Sequence, residues 1–376
     1  MAFDWSNVGG PPPADVIEIA AIGPGFGESI VIHVGNGHWV VVDSCIDSKA
    51  DKSESAPLLY LKRMGVDPAR QVDLILATHW HRDHVRGLAQ LVRSCPNAKF
   101  SCGAALLDQE FSTYVLATGS TLSSGSSAKP EELYEVLRIL HDRGQIARHA
   151  SSRRDLFTWS VSQGHGVDCR ALALSPSDAD FRAFLHRISA SMPRPREPKR
   201  AAVSPDPNEV SVVLQIQWPD VSVLLGADMT VMSDPGRGWK AVMSEHDSLG
   251  MPKSEIVKVP HHGSANAHYE LMWEKGLHRH PIAVVAPFGG GRREGRPPKT
   301  EDITRILARA PRSYLTSPPR GAARRKFENS VERTLEDGGI EIYDVNTPMG
   351  VVRLRGRKGG WTETLLAPAI HLKDAA

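Results

Sequence analysis

The apolar residues of this chain fall into many short runs that are separated by turn residues. Residues 16–21, 29–34 and 39–43 alternate or cluster as strands do, and Gly23–Glu28 between the first two runs has the composition of a turn. Residues 74–77 are apolar throughout, a pattern typical of a strand that is covered on both faces. The N-terminal part of the chain is therefore predicted to build a sheet.

The same alternation of short elements continues to the C-terminal end of the chain. Further strands are predicted at residues 167–174, 210–218, 221–225, 256–259, 282–286, 314–316, 340–345 and 351–354. Helices are predicted at residues 55–64, 85–93, 130–144, 178–192, 300–309 and 327–335. Helices and strands that follow each other in this way predict an α/β fold.

Composition divides the chain into one main domain and three segments of different character. The main domain is expected at residues 16–356, after a Gly- and Pro-rich arm at 1–15 and before a tail at 357–376. Residues 105–160 contain a Ser/Gly-rich stretch followed by an amphipathic helical pattern. We expect this segment to be a helical insertion near the functional site, as a lid or a substrate wall.

The overall composition predicts a soluble cytoplasmic protein. The chain has 376 residues, 41% of them hydrophobic, and a formal net charge of +2. No apolar run approaches the ~20 residues of a membrane-spanning helix, and the N-terminus lacks the profile of a signal peptide. The four cysteines show no CxxC spacing, so neither a disulfide framework nor a thiolate zinc site is indicated.

Four potential metal ligands follow the apolar run 74–77 within six positions. They are His79, His81, Asp83 and His84. In extended chain, residues two apart point to the same side, whereas the last two ligands follow after the chain turns. Imidazole and carboxylate groups suit zinc, iron and manganese. This stretch therefore predicts parts of two neighbouring metal sites.

Other predicted strands also end in acids or histidines. Asp43 and Asp228 each close an apolar run, and His261 and His262 follow the run 256–259. We expect His79 and His81 to hold one metal ion, and the Asp83/His84 side with one of the later histidines to hold another, with Asp228 as the bridge. Such a centre activates water for hydrolysis. No Ser-His-Asp or Cys-His arrangement competes with it.

These motifs resemble the metallo-β-lactamase fold superfamily, and within it the hydrolase domain of ComEC-type DNA-uptake proteins and its stand-alone relatives. The likeness to the superfamily is carried by His79-x-His81-x-Asp83-His84, Asp43, Gly226-Ala227-Asp228 and the later histidines. The likeness to the subgroup is carried by Gly25-Phe26-Gly27-Glu28, Asn208–Leu214, Ala227-Asp228 and His261-His262-Gly263-Ser264. The resemblance implies a four-layer αββα sandwich with a helical insertion. It also implies zinc as cofactor, one or two ions, with manganese or iron as alternatives.

Two departures from the family pattern affect the expected site. Asn208 stands where a third histidine usually completes the first metal site, so it is expected to be a weak ligand or to leave a single-metal enzyme. Arg296 and Lys299 lie where the subgroup often has a histidine, and they are expected to stabilise charge.

The histidine pair leaves an assignment open. His262 is favoured as the ligand, because His262-Gly263-Ser264 matches the His-x-Ser pattern of superfamily relatives. His261 would then face the substrate as a phosphate contact or proton donor. Asp83 is counted both as a ligand and as a catalytic residue, while Asp43 and Ser264 are expected to support the site.

Charge suggests the substrate class. Residues 289–328 contain eleven basic and four acidic residues, a local balance of +7. Flexible arginines beside a hydrolytic metal centre suit a phosphate backbone, although a solvated surface would have the same composition. The predicted function is a metal-dependent phosphodiesterase or nuclease that acts on DNA or RNA. The alternatives are a hydrolase of small esters, lactams or thioesters, and a non-catalytic metal-binding component of a larger assembly.

Overall fold

Two eight-stranded sheets form the centre of the molecule in the computed structural model, which describes residues 2–47, 54–103, 130–161, 167–191, 206–288, 296–319, 323–324, 328–337, 343–344 and 347–375. The strands are β1 (Ile17–Pro24), β2 (Ser29–Gly35), β3 (His38–Val42), β4 (Val72–Ala77), β5 (Lys99–Gly103), β6 (Arg148–Ala150), β7 (Arg154–Val161), β8 (Val167–Ala173), β9 (Leu214–Gln217), β10 (Ser222–Leu225), β11 (Ser254–Lys258), β12 (Leu277–Val285), β13 (Ser313–Leu315), β14 (Ala323–Arg324), β15 (Tyr343–Asp344), β16 (Met349–Gly356), β17 (Thr362–Leu366) and β18 (Ile370–His371).

The first sheet has the order β17-β16-β1-β2-β3-β4-β5-β6, and the second has the order β18-β13-β12-β11-β10-β9-β8-β7. The helices are α1 (Ala56–Arg63), α2 (Pro68–Gln71), α3 (Arg82–Val85), α4 (Leu88–Ser94), α5 (Pro130–Asp142), α6 (Asp178–Ser191), α7 (Gly238–Ser248), α8 (Thr300–Arg309) and α9 (Asn329–Asp337). None of the described helices is both long and apolar enough to cross a lipid bilayer.

Alternation of side chains along the strands produces four layers. Along β2, Ile30 and Ile32 lie in a cluster with residues of the second sheet, whereas Val31 lies in a cluster with α1 and α4. The outer face of the second sheet packs in the same way against α7 and α8, through residues such as Trp239 and Ile303. Successive side chains of a strand point to opposite faces, so each sheet buries one face on its partner and the other under helices.

Parallel strands in both sheets bring polar residues to a common region. The strands β3, β4, β5 and β6 pair in parallel, as do β10, β11, β12 and β13. Ligand sites of α/β sheets form outside the carboxyl ends of such strands. The loops that follow β3, β4, β10 and β11 carry Asp43, His79, Asp228 and His262, respectively.

The N-terminal arm, the expected insertion and the C-terminal tail all contribute elements that pack on the two sheets. Within the expected insertion, α5 contributes to the apolar layer on the first sheet, and β6 and β7 each form a sheet edge; residues 104–129 lie outside the described residues. The tail is not loose, because β17 and β18 add one strand to each sheet. In the N-terminal arm, a short 3-10 helix at Trp5–Val8 buries both of its end residues.

One predicted strand is shorter than expected and others were not predicted at all. The run at 210–218 begins as a strand only at Leu214, because Pro207–Val210 form a 3-10 turn with Asp206 at its N-cap. The sequence analysis did not predict β5, β7 or α7. These elements mix polar and apolar positions without a clean period, so they gave a weak pattern.

Candidate metal centre

Three buried imidazoles meet at the carboxyl ends of the strands, and each is held through its Nδ1 atom. The Nδ1 of His84 lies 2.8 Å from Asp43 Oδ2, and that of His262 lies 2.9 Å from the carbonyl oxygen of Ala286. The Nδ1 of His79 lies 3.0 Å from the hydroxyl of Thr78, which itself donates to Asp43 Oδ2 over 2.7 Å. These acceptors place a proton on each Nδ1 and leave each Nε2 able to coordinate a metal ion.

The three Nε2 atoms surround one carboxylate oxygen. Asp228 Oδ2 lies 3.9 Å from the Nε2 of His79, 3.5 Å from that of His84 and 3.4 Å from that of His262. Asp83 Oδ2 lies 3.3 Å from the Nε2 of His262 and 3.9 Å from that of His84. Imidazole nitrogens and carboxylate oxygens therefore converge within a few ångströms.

Buried atoms without hydrogen-bond partners show that this donor set fits a metal ion. The Nε2 atoms of His84 and His262 are buried and unpartnered, as is Asp228 Oδ1. Buried polar atoms in native proteins nearly always have a partner, so orphaned atoms need an explanation. Among the described residues, three groups have donor atoms within 4.8 Å of one another: His79/His84/Asp228, Asp83/His84/His262 and Glu28/Asp43/His84. The first two contain the Nε2 donors. Each would suit a divalent ion such as zinc.

The electrostatics of the cluster favour positive charge at its centre. Burial opposes charge on His84 and His262, but nearby carboxylates, above all Asp228, raise the pKa of both imidazoles well above the usual value. Burial likewise opposes charge on Asp83 and Asp228, but the neighbouring imidazoles lower the pKa of both carboxyl groups. Burial lowers the pKa of His79, with the charges of His84 and His81 next in effect.

The structure brings the expected ligand pairs together and adds a contact between them. We expected His79 and His81 to form one site and His84 to belong to the other. The Nδ1 of His81 faces the Nε2 of His79 at 3.1 Å, and His84 is a member of all three donor groups, including the one with His79. Among the described residues, no donor group contains His81. The turn that starts α3 brings His84 back toward Asp43, which a linear spacing rule does not capture.

The histidine pair after β11 separates into two environments. His262 joins the donor atoms described above, whereas the Nε2 of His261 lies 3.3 Å from Asn208 Nδ2 and its Nδ1 lies 3.0 Å from Asn266 Oδ1. Both histidines have a left-handed backbone, with φ of 46° and 56°. Such residues cost on the order of 1 kcal/mol each and persist where the surrounding structure fixes them.

Asn208 lies next to the centre, against His261. Its side chain is buried, and its Oδ1 atom has no hydrogen-bond partner. Its amide contacts His261 rather than one of the imidazoles that surround Asp228 Oδ2. Ser264 caps the same turn, where its backbone N–H donates to the carbonyl of His261 over 2.9 Å.

A buried ion pair lies against the ligands, and it was not predicted from the sequence. Glu28 and Lys258 form this pair, and the Lys258 ammonium lies 3.9 Å from Asp228 Oδ1. Glu28 Oε2 lies 3.5 Å from the Nδ1 of His262. Burial opposes both charges, but Glu28 raises the pKa of Lys258 and Lys258 lowers the pKa of Glu28. Two signals were available: Lys258 at the end of a predicted strand, and Glu28 at the end of a turn that matches a motif of the subgroup.

The β1–β2 turn is pressed against the metal motif. Glu28 N–H donates to the carbonyl of Asp83 over 2.8 Å. A Cβ atom on Gly27 would lie 2.0 Å from that carbonyl oxygen, and the φ of Gly27 is +115°. Only glycine permits both the backbone conformation and the close approach, so the turn and Asp83 are positioned together.

Arg296 and Lys299, which were expected to stabilise charge, differ in their exposure to solvent. Arg296 is half-buried, and its Nε and Nη2 atoms are buried without a partner. The side chain of Lys299 is exposed at the N-cap of α8, and its backbone N–H donates to Asp302. No contact of that side chain with the ligand cluster is seen within the described residues. Arg292 and Arg293 lie outside those residues.

Three other arginines of the basic stretch are engaged with the protein. Arg305 contacts Asp302 and the carbonyl of Gly263, Arg309 pairs with Glu270, and Arg312 pairs with Glu363. These three residues stabilise the fold, so the solvated-surface explanation of the local charge holds for part of the stretch.

Comparison with known proteins adds to this geometry. A family model described as the metallo-beta-lactamase superfamily matches residues 22–110, which include the motif from His79 to His84. Over these residues the chain is similar to that superfamily. A hydroxyacylglutathione hydrolase of Aliivibrio salmonicida is 39% identical over 77 residues, 20% of this chain and 26% of that protein. The match therefore spans about a quarter of that relative's length.

Two solved bacterial structures align with most of this chain at low sequence identity. A metallo-β-lactamase of Cronobacter sakazakii aligns with a TM-score of 0.36 and 11% identity, covering 64% of this chain and 76% of that one. The metallo-β-lactamase fold protein YhfI of Bacillus subtilis aligns with a TM-score of 0.35 and 12% identity, covering 72% and 85%.

The two neighbouring histidines provide a matched test of the ligand set. Replacing His262 by Ala removes a donor from the centre, so bound metal should fall to a small fraction of the wild-type content. His261→Ala should keep most of the metal, because His261 contacts Asn208 and Asn266 instead. Metal content is measured by inductively coupled plasma mass spectrometry after dialysis. Equal loss in both variants, or loss only in His261→Ala, would contradict the assignment.

The carboxylate of Asp43 should affect metal affinity although it is not proposed to bind the ion. In Asp43→Asn, His84 and Thr78 lose the charged oxygen that accepts their hydrogen bonds, so zinc affinity should fall by about 10–100-fold. Asp73→Asn is the control, since Asp73 accepts from His38 and Trp159 away from the centre. Competition with a chromogenic chelator gives both affinities. Similar affinities for the two variants would show that Asp43 has no such role.

Proposed function

We propose that this chain is a metal-dependent hydrolase of phosphodiesters, with DNA or RNA as its polymeric substrate. The proposal depends chiefly on the unpartnered Nε2 atoms of His84 and His262, which face Asp83 and Asp228. A bound divalent ion would supply an activated water and would stabilise an anionic transition state. His79, His84, His262, Asp83 and Asp228 are the residues that would hold it.

His261 is suited to act on the substrate rather than on the metal. Its Nδ1 donates to Asn266 Oδ1, so its Nε2 is the acceptor that faces Asn208 Nδ2 at 3.3 Å. Two side-chain amides thus fix the ring orientation. We propose that the Nε2 of His261 exchanges a proton with the substrate, and that Asn208 orients this ring instead of completing a second metal site.

Arg296 supports an anionic substrate. The backbone N–H of Phe288 donates to the carbonyl of Pro297 over 3.0 Å, and the Phe288 ring lies 5.2 Å from the ring of His262. Arg296 directly precedes Pro297, which is hydrogen-bonded to Phe288 beside the metal centre. The Nε and Nη2 atoms of Arg296 are buried without partners. A guanidinium presents paired N–H donors that match phosphate oxygens. Lys299, which is exposed, is the less favoured contact.

The resemblance to ComEC-type hydrolase domains supports the same substrate class. The features that carry it here are Asn208 beside the site and the loop from His261 to Ser264. Zinc is the proposed metal, and a single ion is sufficient for the roles assigned above.

A second candidate is a thioester hydrolase. Its support is the local identity with a hydroxyacylglutathione hydrolase, which covers 20% of this chain. The half-buried Arg296 guanidinium could then contact a substrate carboxylate. The two candidates share the metal centre and differ in the electrophile, so one set of assays separates them.

The test compares bis-p-nitrophenyl phosphate, single-stranded DNA, RNA and a hydroxyacylglutathione with zinc-, manganese- or iron-loaded protein. We expect phosphodiester cleavage that EDTA and the double change Asp83→Ala/His84→Ala abolish. Arg296→Gln should lower kcat/KM by roughly tenfold or more, because it removes a charged hydrogen bond of about 1.5–3 kcal/mol. Arg309→Gln, whose parent residue pairs with Glu270, should not lower kcat/KM.

Cleavage of the thioester alone would favour the second candidate. Cleavage of none of the substrates with any metal, or equal activity of the doubly substituted protein, would exclude the proposed phosphodiesterase.

A further inference from the structure

We propose that Phe26, Arg82 and Arg86 form a second phosphate-binding subsite beside the metal centre. This subsite would hold a phosphate of the substrate chain next to the one that is cleaved. The inference rests on the proposed phosphodiesterase function and adds to it a reason to prefer a nucleic-acid strand over a small diester.

The subsite consists of two guanidinium groups on one aromatic ring. The guanidinium carbon of Arg86 lies 4.2 Å from the centre of the Phe26 ring, and that of Arg82 lies 5.8 Å from it. All three side chains are half-buried. The negative face of a phenyl ring attracts cations, so the ring holds both groups in place.

The subsite is joined directly to the metal motif. Arg82 precedes the ligand Asp83, and Phe26 lies two residues before Glu28, whose N–H donates to the Asp83 carbonyl over 2.8 Å. This hydrogen bond holds the turn against Asp83, and Gly27 allows the close approach because it has no Cβ atom. The distance from subsite to centre is thus set by neighbouring residues of two short segments.

No carboxylate of the described residues forms an ion pair with Arg82 or Arg86. Elsewhere in the described chain, Arg237, Arg305 and Arg312 each pair with a carboxylate. Neither Arg82 nor Arg86 has such a partner among the described residues, and the buried Nε of Arg82 has no hydrogen-bond partner. Burial, then the charge of Arg82, lowers the pKa of Arg86, with Glu132 acting in the opposite direction.

These properties specify an anion with several oxygens. Two adjacent guanidinium groups repel each other, and an anion between them would relieve that repulsion while filling unpaired donors. A phosphate provides oxygens for both groups. Bis-p-nitrophenyl phosphate has a single phosphate, which the metal centre would take, whereas an oligonucleotide also offers the neighbouring phosphates that this subsite requires.

Steady-state kinetics on these two substrates test the subsite. In Arg82→Gln/Arg86→Gln the KM for a single-stranded oligonucleotide should rise about tenfold, with kcat/KM on bis-p-nitrophenyl phosphate within about twofold of wild type. The slope of log KM against log salt should fall by about 0.7 for each lost phosphate contact. Arg357→Gln, at an exposed arginine near Asp15, is the control and should change neither.

A binding measurement keeps the inference independent of catalysis. Fluorescence anisotropy of a labelled oligonucleotide in EDTA should show roughly tenfold weaker binding to the double variant than to wild type and to Arg357→Gln. Unchanged binding would overturn the subsite even if the enzyme is active. Equal loss of activity on both substrates would also overturn it, because that result indicates a structural role. If wild type cleaves no diester but the binding difference persists, the proposed function fails and the subsite stands.

Discussion

The hydrogen bonds on the outer side of three buried imidazoles determine the geometry of the centre. Asp43 accepts from His84 and from Thr78, and the Thr78 hydroxyl in turn holds His79. Asp43 itself adopts a left-handed backbone, with a φ of 59°, at the end of β3. Without these acceptors the rings could turn and either nitrogen could face inward. One carboxylate thus orders two rings, His84 directly and His79 through Thr78.

The balance of buried charge complements this geometry. The pKa of Glu28, Asp83 and Asp228 is lowered and that of Lys258 is raised, whereas burial raises the pKa of Asp43. These three carboxylates face one ammonium and the imidazoles of His84 and His262, whose pKa is raised. The cluster therefore attracts positive charge, which a divalent ion on the two Nε2 atoms would supply in place of their protons.

The sequence was sufficient to predict the sandwich and most residues of the cluster, because both follow from local patterns. Apolar runs that end in His79 or Asp228 place these side chains at the ends of buried strands. The position of His84 close to His79 as well as to Asp83 was not predictable, since it depends on how the first turn of α3 packs on β3. Lys258 was missed because a lysine at a strand end usually reaches water, whereas here Glu28 arrives from a turn 230 positions earlier and neutralises it. The edges β6, β7, β17 and β18 were missed because weak alternation marks edge strands poorly.

Zinc anomalous diffraction from crystals of the zinc-loaded protein tests the central claim most directly. The account predicts an anomalous peak about 2.0–2.2 Å from the Nε2 atoms of His84 and His262 and from a carboxylate oxygen of Asp83 or Asp228. It also predicts that the ring of His261 stays outside this shell. A zinc peak coordinated by His261 in place of His262, or zinc bound only at exposed histidines, would contradict the account.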